Sequence, residues 1–61
     1  MNMRRAIIAT LQDSGPATFI DLMGACCHGA DDFNVNLLPG VLYQLVHDCT
    51  IGVDGGLYFV R

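Results

Sequence analysis

The sequence contains no lysine and no glutamate. Its fixed charges are three arginines, Arg4, Arg5 and Arg61, and six aspartates, Asp13, Asp21, Asp31, Asp32, Asp48 and Asp54, for a formal net charge of −3 over 61 residues. So low a net charge with 52% apolar residues argues against disorder. No run approaches the roughly 18 consecutive apolar residues needed to cross a bilayer, so no membrane segment is expected. The apolar stretch after Arg4 and Arg5 breaks at Thr10, ends at Gln12-Asp13 and has a helical period, which argues against a secretory leader. Disulfide capacity is small: there are three cysteines, Cys26, Cys27 and Cys49, two of them adjacent. An odd set fits no secreted disulfide framework, and a reducing cytoplasm is expected. The length excludes several domains, a large buried cofactor site or a repeat array, leaving one domain over 1–61. A domain of this size buries only about 60% of its unfolded surface, so its stability is marginal.

Recognisable catalytic chemistry is also lacking. Asp31-Asp32 is a carboxylate pair in sequence only, with no cleft or perturbed environment to read, and it serves more simply to solubilise a loop. Gly55-Gly56 is followed by no helix and makes no phosphate loop. Cys26-Cys27-His28 and His47-x-Cys49 hold all the thiol and imidazole ligands, but neighbours on a helix point about 100° apart and do not converge on one tetrahedral ion. Cys26 and Cys49 fall on apolar stripes and read as core thiols, with Cys27 at a stripe's edge. No enzyme, no metal and no cofactor are expected.

What is present is periodicity. Residues 2–13 read as a helix with Met3, Ile7, Thr10 and Leu11 on one face, Arg5, Ala9 and Gln12 opposite, and Arg4 and Ile8 at the edge. Ser14-Gly15-Pro16 ends it, with Gly15 suited to the residue after the C-cap. Thr18 opens a second helix in which Asp21 completes a capping box, and Phe19, Leu22, Met23 and Cys26 share its apolar face. A polar connection over 29–36 carries Phe33 and Val35 as plugs. Asn34 or Asn36 is the expected N-cap of a third helix, with Pro39 tolerated in its first turn. Leu38, Val41, Leu42, Leu45, Val46 and Cys49 form its buried stripe. Asn36, Gly40, Tyr43, Gln44 and His47 form its exposed face. Thr50–Arg61 reads as a β-hairpin. A two-residue Asp54-Gly55 turn would split its apolar residues between two faces. A three-residue loop, Asp54-Gly55-Gly56, pairs Val53 with Leu57 and Ile51 with Phe59 on one face, and the burial argument favours it. Tyr58 and Val60 would then face outward.

Helix, turn, helix, longer connection, helix, hairpin is an α+β arrangement that resembles the winged helix-turn-helix domains. The resemblance rests on Leu42-Tyr43-Gln44-Leu45-Val46-His47-Asp48-Cys49-Thr50-Ile51-Gly52, similar to the end of that family's recognition helix, and on Asp54-Gly55-Gly56-Leu57-Tyr58-Phe59-Val60, similar to its wing. Ser14-Gly15-Pro16-Ala17-Thr18-Phe19 resembles the break between its first two helices, where a short third strand is often added. The resemblance implies a small stand-alone regulator whose third helix reads duplex DNA. The implied reading residues are Asn36, Gly40, Tyr43, Gln44 and His47, with Asp54, Gly55 and Gly56 at the wing tip.

Two features depart from that pattern. The connection between helices two and three is long for the family, and from Ala6 to Val60 there is no lysine or arginine. Cationic side chains supply most nonspecific DNA affinity. Here only Arg4, Arg5 and the α-amino group form a basic pole, although Asn36 and Gln44 suit bidentate bonds to adenine. A transcription-type DNA-binding regulator is the first expectation. The alternative is an acidic protein-interaction module anchored by Tyr43, with Ile8, Tyr58 and Val60 adding apolar surface. The small size and high apolar content also lead us to expect a homodimer. Size alone fits a phage-like or mobile-element regulator.

Overall fold

The computed structural model describes residues 1–61. Its elements are α1 (Met3–Ser14), α2 (Phe19–Gly29), α3 (Leu38–His47), β1 (Ile51–Asp54) and β2 (Leu57–Val60): three helices followed by an antiparallel hairpin. No helix is long and apolar enough to cross a membrane.

Local chemistry sets most boundaries. Asn2 caps α1 by accepting from the Arg5 amide at 2.9 Å, and Gly15 closes it with positive φ and a bond to the Leu11 carbonyl. The Thr18–Asp21 capping box is formed as expected, each side chain accepting from the other residue's amide, at 3.2 and 3.3 Å. The core gathers Met3, Ala6, Ile7 and Leu11 of α1, Ala17, Leu22 and Cys26, the α3 leucines Leu38, Leu42 and Leu45, and Ile51. Phe33 packs against this cluster, but Val35 is exposed rather than a plug.

The start of α3 differs from expectation. Neither asparagine is its N-cap; Leu37 holds that position without a side-chain bond. Asn34 instead accepts from the Asn36 amide at 2.9 Å, and its carbonyl accepts from Leu37 and Leu38. It therefore organises the turn that feeds the helix, one step earlier than the cap.

Two further corrections concern the C-terminal third. Cys49 is exposed, not a core thiol: the helix has already ended, and Cys49 has φ +63°. Its amide donates to the Val46 carbonyl and the Thr50 amide to the Leu45 carbonyl, the bond pair of a Schellman ending. The hairpin register also differs. Ile51 pairs with Val60, Gly52 with Phe59, Val53 with Tyr58 and Asp54 with Leu57, so the loop is Gly55-Gly56. Both glycines have positive φ, +58° and +82°, as a two-residue turn matched to strand twist requires. Turn geometry outweighed joint burial of the four apolar residues. Tyr58 and Val60 consequently share the face of Ile51 and Val53, while Phe59 and Leu57 lie on the other. There the Phe59 ring covers Gly52, where an added Cβ would stand 2.5 Å from its Cζ. Ala17 forms an isolated bridge with Tyr58 through reciprocal bonds of 3.0 and 2.7 Å, a one-residue third strand.

Candidate functional site

The third helix and the hairpin build a shared surface. Along α3 the side chains of Pro39, Leu42, Tyr43 and Val46 recur at spacings of three and four and so lie on one side. The pairing of Val53 with Tyr58 sets both opposite them. Together these residues line an apolar groove of about 270 Å³. Tyr58 reaches it only because the loop has two residues; the longer loop would have turned it outward. The sequence pattern set Tyr58 on the outer face instead, and the adjacent turn glycines Gly55 and Gly56 are the signal that points to its place in the groove wall.

Of the expected contact residues, Tyr43 alone lines this groove. Gly40, Tyr43, Gln44 and His47 are exposed, and Asn36 is exposed on the preceding turn. Tyr43 is 69% exposed, and its ring stacks on His47 one turn later, with centroids 6.0 Å apart and planes 9° from parallel. The pair presents a flat aromatic platform at the groove's edge. None of these side chains carries a fixed charge. Asp54, at the end of β1, leads into the hairpin turn.

The basic pole is largely neutralised. The Arg4 guanidinium lies 3.4 Å from Asp48 at the C-cap of α3, and the N-terminal ammonium lies 2.9 Å from Asp31. Arg5 has no ion-pair partner and belongs to a different surface, where it lines a groove of about 220 Å³ with Met1, Ile8, Ala9 and Gln12. The structure thus brings Tyr43 against His47, ties Arg4 to the end of that helix, and sets Arg5 apart.

The cysteines have contrasting environments. Cys26 is fully buried, and its thiol pKa is pushed above the usual 9.0 by burial, with the Asp32 charge adding to the effect. Cys27 and Cys49 are exposed and free. No three His, Cys, Asp or Glu side chains are grouped so as to hold a metal ion. Asp32 has a structural task that sequence spacing did not reveal: its carboxylate accepts from the Met3 amide at 2.9 Å and caps a helix distant in the chain. No family model, curated protein or solved structure matches this chain.

Proposed function

We propose that this is a winged-helix-type regulatory domain of a reducing, cytoplasmic setting that binds a protein partner through α3 and the hairpin, without catalysis or a cofactor. The observation that carries this reading is the apolar groove between Pro39, Leu42, Tyr43 and Val46 on one side and Val53 and Tyr58 on the other. It adjoins an exposed helix face with no cation. Tyr43 supplies a rigid ring with a polar tip, the kind of side chain that anchors protein interfaces. Peptides selected from a random library on the immobilised domain test the reading. Binders should shift the resonances of Tyr43, Val46, Val53 and Tyr58, and Tyr43→Ala should weaken them about tenfold or more while leaving the fold intact. Selected binders that all map elsewhere would defeat it.

Duplex DNA is the second reading, favoured by the exposed side-chain amides of Asn36 and Gln44. With Arg4 already paired to Asp48, the fixed positive charge left for phosphates is small. This reading requires duplex binding at low salt that weakens steeply as salt rises and is impaired by Arg4→Ala with Arg5→Ala. No shift of any duplex at low salt would eliminate it.

A further inference from the structure

We propose that α1 is the contact face of a homodimer, with two copies of α1 packed antiparallel about a two-fold axis at Ala9. This contact is independent of what the α3 groove binds. The charges of α1 run against the helix dipole: the first turn has no acidic residue and the last turn no basic one. Arg4 and Arg5 instead stand at the positive end and Asp13 at the negative end. Arg4 finds Asp48 of its own chain. Arg5 and Asp13 form no ion pair within the chain, and both are exposed. They lie about 12 Å apart along the axis, too far to meet each other.

A second copy supplies both missing partners. Arg5, Ala9 and Asp13 fall at intervals of four residues, on one row of the helix surface. A two-fold axis through the middle of that row sets Arg5 of each copy against Asp13 of the other, giving two equivalent ion pairs. An isologous contact requires this self-complementarity. Ala9, at the crossing point, has only a methyl group, which permits helix axes about 8 Å apart. Beside the row, the groove lined by Met1, Arg5, Ile8, Ala9 and Gln12 offers apolar surface that the partner helix would cover. None of its lining residues belongs to the α3 groove.

Sedimentation equilibrium on the full chain tests the proposal through charge reversal. Arg5→Asp and Asp13→Arg each convert both ion pairs to like-charge contacts, and each should weaken self-association about tenfold or more. Both changes agree with the helix dipole, so circular dichroism should find each variant folded. Mixing the two single variants should restore association as a heterodimer, because one then offers only carboxylates and the other only guanidiniums. The chain carrying both changes should self-associate like the wild type. Tyr43→Ala should leave association unchanged. A wild type that remains monomeric at millimolar concentration would overturn the proposal. So would a dimer indifferent to either reversal, or two single variants that do not associate when mixed.

Discussion

At Cys49 a residue with a Cβ occupies a backbone state that glycine normally fills. The left-handed conformation costs an L-residue about 1–2 kcal/mol, part of which glycine gives back through its greater unfolded-state entropy. Cys49→Gly should therefore stabilise the domain by about 1 kcal/mol, read as a higher urea midpoint with unchanged slope. Cys26 gives a second expectation. Its buried, electrostatically disfavoured thiolate should leave it unreactive to a thiol reagent at pH 8, while Cys27 and Cys49 react quickly. Because the fold holds its proton more tightly than the unfolded chain does, the Cys26 contribution is fully present below the usual thiol value of 9.0. It is lost as pH rises from there towards the raised value. Asp32→Asn should lower the Cys26 value without returning it to normal, since burial is the larger cause. The sequence disclosed that Cys26 lies on an apolar face but misplaced Cys49. Periodicity counts residues along a helix, and only the helix ending decides whether the next one is still on it.

Elements were legible where their boundaries are written in adjacent residues. The Thr18–Asp21 box is such a case, and Thr18→Ala should cost about 1 kcal/mol in thermal or urea unfolding. Contacts between distant residues were not legible: nothing near Asp32 in the sequence announces that it caps α1. The hairpin register lay between these extremes. Its apolar residues and turn glycines were readable, but the choice between loop lengths depended on weighing burial against twist. Phe59 finds cover on Gly52 instead of in the core. That contact makes Gly52→Ala a register-specific test. The new methyl must displace the ring, at a cost of about 1–2 kcal/mol. In a Phe59→Ala background the cost should shrink, because the two residues share one contact.

For the molecule as a whole, a domain of this length has a stability of roughly 3–9 kcal/mol. Leu42 and Leu45 are buried to within 1% and sit where α3 meets the rest of the core. Truncating either to alanine removes about 2–5 kcal/mol, so circular dichroism at 37 °C should find a large unfolded population. Tyr43→Ala should change stability by less than about 0.5 kcal/mol, since its ring stands mostly in solvent. Three helices and a hairpin follow from local periodicity. The groove between α3 and the hairpin does not, because its far wall depends on a one-residue choice of pairing.

The Ala17–Tyr58 bridge gives the hairpin a tether of only two hydrogen bonds to the α1–α2 junction, yet Tyr58 also forms part of the groove wall. Whatever presses on that ring is felt by the backbone of the same residue, and through it by Ala17. The amides of Ala17 and Tyr58 therefore form a built-in gauge of groove occupancy. Their deuterium uptake should slow when the groove fills, as should that of amides exchanging through global unfolding, while amides that open locally away from the groove keep their pace.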